Sequence, residues 1–139
     1  MRSIKPILFA EDDDVDQEAV KRCFEQLRIA NPLIVVGDGE QALAYLQNDS
    51  KEKPCLILLD LKMPKMDGIE LLRHLKVDKR LKLITVVMFT SSAEEQDKVN
   101  SYNLGVAGYI VKPPQHREFL EAIRTLDLYW TLNEVPPLS

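Results

Sequence analysis

Four apolar runs in this sequence each end on a residue that is costly to bury. "ILFA" runs into Glu11 and Asp12, "CLILL" into Asp60, "TVVMF" into Thr90 and "GYIV" into Lys112. A single such junction is unremarkable, because every strand needs an exit. The set is more than a series of exits. Three carboxylates at close range cannot all stay ionised without a counter-charge, so one holds a proton or a cation sits among them. Oxygen donors without Cys or His favour a hard divalent ion. Few carboxylates with room for water suit Mg²⁺ better than a full Ca²⁺ cage. The Lys112 ammonium and the Thr90 hydroxyl add a second cation and a donor. A metal, an ammonium and a hydroxyl converging on one carboxylate could stabilise a transferring phosphoryl group. The carboxylate itself can be the nucleophile. Asp60, alone at the end of its run, is the candidate nucleophile. Glu11 and Asp12 are the candidate metal acids.

This chemistry needs elements that bring the four exits to one edge. The apolar runs Ile4–Ala10, Leu33–Gly37, Cys55–Asp60, Leu83–Phe89 and Val106–Val111 are rich in Val, Ile and Leu and lack polar alternation. Such runs suit strands buried on both faces of a parallel sheet. Helical spacing lies between them. Val15, Ala19, Val20, Cys23, Phe24 and Leu27 form one stripe. Ala42, Leu43 and Leu46 form a second over 38–47, and Ile69, Leu72 and Leu75 a third after Asp67-Gly68. A fourth helix is expected over 93–103, capped by Ser92 and stopped by Gly105. The fifth runs from about Gln115 past Leu128, with Phe119, Ile123, Leu126 and Trp130 facing the sheet. The expectation is an α/β fold: a doubly wound five-stranded parallel sheet with right-handed crossovers. Ligands bind such sheets beyond the carboxyl ends of the strands. For the order 2-1-3-4-5 the switch point lies between strands 1 and 3.

The residues then match a known pattern. The stretches "PILFAEDDD", "CLILLDLKMPKMDG", "VVMFTSS" and "AGYIVKPP" closely resemble the receiver domain of two-component response regulators over nearly the whole chain. The resemblance implies the flavodoxin-like receiver fold in a single domain over 1–139, with 129–139 as an extension of the last helix plus a tail. It implies that Asp60 is the phosphoacceptor, and that Asp12, Glu11, Asp60 and the backbone carbonyl of Lys62 hold Mg²⁺. Thr90 and Lys112 would contact the phosphoryl group, and Tyr109 would be the switch aromatic working with Thr90. Lys112-Pro113 sits where the family commonly has a cis peptide. The expected partner is a sensor histidine kinase. The tail "LYWTLNEVPPL" is similar to those of small regulators paired with cyanobacterial phytochrome kinases, which points to a kinase of that type. With about ten residues after the fifth helix, a stand-alone regulator acting through protein contacts is expected.

Other readings stand beside these. Asp13, Asp14 and Asp16 read as helix cap and first-turn residues, which favour a helix N-terminus. Tyr109 is equally readable as core packing, and Lys112 as a snorkelling lysine. The basic stretch Arg73, Lys76, Lys79, Arg80 and Lys82 reads as a solvated face. Leu128 and Leu132, with Val135, Pro136, Pro137 and Leu138, read either as ordinary exposed residues or as a homodimer surface. The rival functions are a phosphorylation-silent binding module, a Mg²⁺-dependent phosphatase with an aspartate nucleophile, and a flavin electron carrier. The phosphatase lacks a second acid two residues after Asp60, where Lys62 stands. The electron carrier would need a phosphate loop where "EDDD" repels one. The 139 residues carry a net charge of −4, against non-specific nucleic-acid binding. Cys23 and Cys55 lack metal-site or redox spacing and read as reduced core thiols. With no signal or membrane-length segment, a soluble cytoplasmic protein is expected.

Overall fold

The computed structural model describes residues 4–132. The chain alternates strand and helix: β1 (Ile7–Ala10), α1 (Asp14–Gln26), β2 (Leu33–Val36), α2 (Gly39–Gln47), β3 (Leu56–Leu59), α3 (Gly68–Val77), β4 (Thr85–Thr90), α4 (Glu95–Asn103), β5 (Gly108–Val111) and α5 (His116–Leu132). All strand pairs are parallel, in the order β2-β1-β3-β4-β5. The expected α/β doubly wound sheet is therefore the observed one.

Strand alternation divides the core into two layers. Leu8, Ala10, Ile57, Leu59, Val86 and Met88 face one side, where α2 and α3 deliver Ala42, Leu46, Leu71, Leu72 and Leu75. Ile7, Phe9, Leu56, Leu58, Val87 and Phe89 face the other, against Val20, Cys23 and Phe24 of α1 and Phe119, Ile123, Leu126 and Trp130 of α5. Every residue of β1 and β3 is fully buried, which is why these runs carry no polar alternation. Trp130 stacks on Phe24 at 6.0 Å between ring centroids and ties the end of α5 to α1.

Three helices begin on an aspartate. Asp13 accepts from the backbone N–H of Val15 and Asp16, Asp38 from Gln41, and Asp67 from Glu70. Each carboxylate satisfies amides that a helix start leaves unpaired. Helix α4 departs from the expectation. Its flanking residue is Glu94, with no side-chain cap. Ser92 lies too far upstream, and its hydroxyl donates to Asp97 at 2.5 Å instead. Gly105 ends α4 as expected, at φ +88°, where a side chain would be strained.

The remaining differences are local. Ile4 is exposed and β1 starts only at Ile7, because Pro6 has no N–H to enter the ladder. Leu81–Leu83 form a 3₁₀ turn, so β4 starts at Thr85. Val15 is 76% exposed rather than part of the buried stripe, because the first turn of α1 stands at the sheet edge. Cys23 is buried as expected, while Cys55 is half-buried. No cis peptide occurs among the described residues, so Lys112-Pro113 is trans. The trans form is the favoured state of an X-Pro bond, and the Lys112 N–H still reaches Thr90 O at 2.7 Å.

Candidate functional site

The sheet carries its candidate residues at one level because its ladder continues one residue past the strands. Glu11 N–H donates to Val36 O at 3.0 Å and Asp60 N–H to Ala10 O at 3.0 Å. Lys112 N–H makes the matching bond to Thr90. Three backbone positions on three strands are thus held against their neighbours before any side chain is considered. Beyond them opens a cleft of about 540 Å³, lined by Asp12, Lys62, Thr90, Ser91 and Ser92 besides Glu11, Asp60 and Lys112.

Carboxylate oxygens of Glu11, Asp12 and Asp60 all lie within 4.8 Å of one another. Glu11 and Asp60 are buried and Asp12 is exposed. The Lys112 ammonium, with its side chain 7% exposed, donates to Glu11, to Asp16 at 2.7 Å and to Asp60 at 3.3 Å. Three N–H groups therefore meet three carboxylates. Burial, helped by the nearby Asp60 and opposed by the hydrogen bond from Lys112, pushes the Glu11 carboxyl up to about 8. Burial alone would lower the Lys112 pKa, but the bonds to Asp16 and Glu11 and the charge of Asp60 hold it above the ordinary lysine value. The cluster thus binds its proton and its ammonium tightly, and a divalent cation fits the all-oxygen donor set.

Thr90 and Tyr109 meet through one residue. Thr90 is buried, and its Oγ1 accepts from Ser92 N–H at 3.4 Å. The half-buried Tyr109 donates its hydroxyl to Ser92 O at 2.9 Å. The hydroxyl of Ser92 holds Asp97 in the first turn of α4. All the residues singled out in the sequence are therefore assembled here: Glu11, Asp12, Asp60, Lys62, Thr90 and Lys112 line the cleft, with Tyr109 one hydrogen bond behind it.

One residue does more than its sequence position suggests. Asp16 is a first-turn acid of α1, as expected, but it also binds the Lys112 ammonium. No periodicity links positions 16 and 112. Only the reach of the Lys112 side chain across the carboxyl edge of the sheet joins them. By contrast, Asp13 is a cap, as its sequence position suggested.

The signature of the response regulator receiver domain matches residues 7–124. The chain belongs to this family. The receiver is 35% identical to response regulator Rcp1 of Synechocystis over 91% of this chain and 88% of that one. It superposes on the phosphorylated cyanobacterial phytochrome response regulator RcpA with a TM-score of 0.88 at 32% identity, over 97% of this chain and all of that one. The Mn²⁺-bound form of Rcp1 matches equally well, at 34% identity over 96% and 99% of the two chains. Membership makes this receiver a signalling module of the two-component type and implies a histidine kinase partner. No described helix is long and apolar enough to cross a membrane.

Proposed function

We propose that this receiver accepts a phosphoryl group on Asp60 from a sensor histidine kinase, with Mg²⁺ held by Glu11, Asp12, Asp60 and the Lys62 carbonyl. The observation that carries the reading is the meeting of three carboxylates within 4.8 Å with the buried ammonium of Lys112. Asp60 attacks phosphorus with a carboxylate oxygen, and the bond to the kinase imidazole breaks. Mg²⁺, when bound, offsets the negative charge that gathers between carboxylates and phosphoryl oxygens. Lys112 donates to a phosphoryl oxygen, and the buried Thr90 hydroxyl donates to another. Burial keeps water from competing with these donors.

Signal leaves the site through Ser92. Its amide touches Thr90, its carbonyl holds Tyr109 and its hydroxyl holds α4. When the Thr90 hydroxyl turns to the phosphoryl group, this junction is disturbed and α4 is the element that yields. Helix α4 buries only Ser101 and exposes Val99 and Tyr102, so it opens at low cost. The kinase is of phytochrome type, a reading supported by the likeness to Rcp1 and RcpA. Exposed Leu128 and Leu132 on α5 support a homodimer contact. Val135, Pro136, Pro137 and Leu138, read with them in the sequence, lie outside the described residues.

One sample set tests these readings. Wild type treated with acetyl phosphate and Mg²⁺ gains one phosphate mass, and Asp60→Asn gains none. The phosphorylated sample exchanges amides faster in α4 and β5, and Leu132→Glu lowers its mass in light scattering. Wild type without a mass gain overturns the phosphoacceptor reading. Unchanged exchange or unchanged mass overturns the switch or the dimer alone.

A further inference from the structure

The Lys112 ammonium is shared unequally. It is 2.7 Å from Asp16, closer still to Glu11, and 3.3 Å from Asp60. The longest bond is the one to the proposed phosphoacceptor. Asp16 is anchored from behind: its own N–H donates to the capping carboxylate of Asp13 at 3.2 Å, and it sits in the rigid first turn of α1. Its carboxylate, 28% exposed, lines the same cleft and holds the ammonium at a shorter distance than Asp60 does. Gln17, next in α1, donates to Glu11 O at 2.5 Å and fastens the same turn to the end of β1.

We infer that Asp16 is a positioning residue that holds the Lys112 ammonium partly withdrawn from Asp60 and competes for it with an arriving phosphoryl group. The inference rests on the phosphoacceptor reading of Asp60. Lys112 has three N–H groups, and all three are engaged before phosphorylation. A phosphoryl oxygen must therefore take the ammonium from a carboxylate. Phosphorylation removes the negative charge of the Asp60 carboxylate and so weakens the contact to it. Asp16 remains as a charged acceptor, and as a negative charge near an anion. Both effects have one sign: Asp16 weakens the hold of the site on a phosphoryl group. It thereby sets how firmly the phosphorylated state is held.

The test is the affinity for beryllofluoride, a tetrahedral anion that binds a carboxylate as a phosphoryl analogue, measured by calorimetry at saturating Mg²⁺. Asp16→Asn is expected to bind it more tightly by about five-fold, the order of effect of removing one unit charge about 4 Å from an anion when water screens the pair. Asp16→Glu keeps the carboxylate and returns the affinity toward wild type. Asp14→Asn removes another first-turn acid of α1, one that makes no bond to Lys112, and stays within about two-fold of wild type. A merely structural Asp16 would behave like Asp14, with a lower unfolding midpoint and unchanged affinity. Asp16→Asn binding no tighter than wild type overturns the inference while leaving the phosphoacceptor reading intact. Wild type that fails to bind beryllofluoride overturns both.

Discussion

Asp12→Ala is expected to abolish the Mg²⁺-dependent gain of phosphate, while Asp13→Ala keeps it within about three-fold and loses about 1 kcal/mol of stability. The two acids are adjacent and chemically identical. Asp12 offers an oxygen to the cluster with Glu11 and Asp60, and it is exposed, so an entering ion meets it first. Removing a direct ligand, the role proposed for Asp12, costs on the order of a hundred-fold or more in metal affinity, since even partners one shell out cost 10–100-fold. Asp13 instead spends its carboxylate on the amides of Val15 and Asp16. Phosphate gain by mass spectrometry and urea unfolding separate the two effects. Equal loss of phosphorylation in both variants would contradict the assignment. The same cluster sets a pH dependence. Glu11 is raised from 4.5 to about 8, mainly by burial. A carboxyl raised in the folded state contributes its stability fully below pH 4.5 and loses it as pH climbs through about 8. The unfolding midpoint of the metal-free protein therefore falls between pH 5.5 and pH 8. Mg²⁺, which favours the ionised carboxylate, raises the midpoint more at pH 8 than at pH 5.5. Asp12→Ala loses that increment.

Gly68→Ala is expected to damage both stability and phosphate uptake through the addition of one methyl group. A Cβ at Gly68 would lie 2.5 Å from Asp60 O and 3.1 Å from Leu61 Cα. Both are backbone atoms at the exit of β3, so no side chain can swing aside. Gly68 N–H also donates to Leu61 O at 2.8 Å, which clamps the start of α3 onto the segment carrying Asp60. The new methyl must push that segment away. Overpacking of this kind costs about 3 kcal/mol. A displacement of 1 Å at the proposed nucleophile costs about a hundred-fold in rate. Gly108→Ala is the control, because the nearest atom to a Cβ there is a Val87 methyl at 3.8 Å. It should stay within about 1 kcal/mol of wild type and take phosphate normally. A Gly68→Ala protein as stable and as active as Gly108→Ala would show that the clamp has no role.

The two predictions depend on different kinds of information. The acids at the ends of β1 and β3 were legible because a strand buried on both faces reads as an unbroken apolar run, and the polar residue that ends it marks the carboxyl edge. Asp67-Gly68 was visible as part of a family pattern. Its reason, an aspartate capping Glu70 beside a glycine pressed on the Asp60 carbonyl, was not. Strand starts were less legible than strand ends. Apolar residues such as Ile4 and Leu83 continue a run past the point where the backbone enters the ladder.

What the sequence determined by itself was the order of elements, the two-faced core and the identities of Glu11, Asp12, Asp60, Thr90 and Lys112 as candidates. These follow from local apolar periodicity and from where it stops. Only the tertiary structure decided which acids share the Lys112 ammonium. The sheet order sets β5 two strands from β3, and the Lys112 side chain crosses the carboxyl edge of the sheet to the start of α1, where it meets an aspartate 96 positions away. Hydrogen bonds act over about 3 Å of space and carry no trace of sequence separation. For the same reason Ser92 could be read as a cap yet serves to join Thr90, Tyr109 and Asp97.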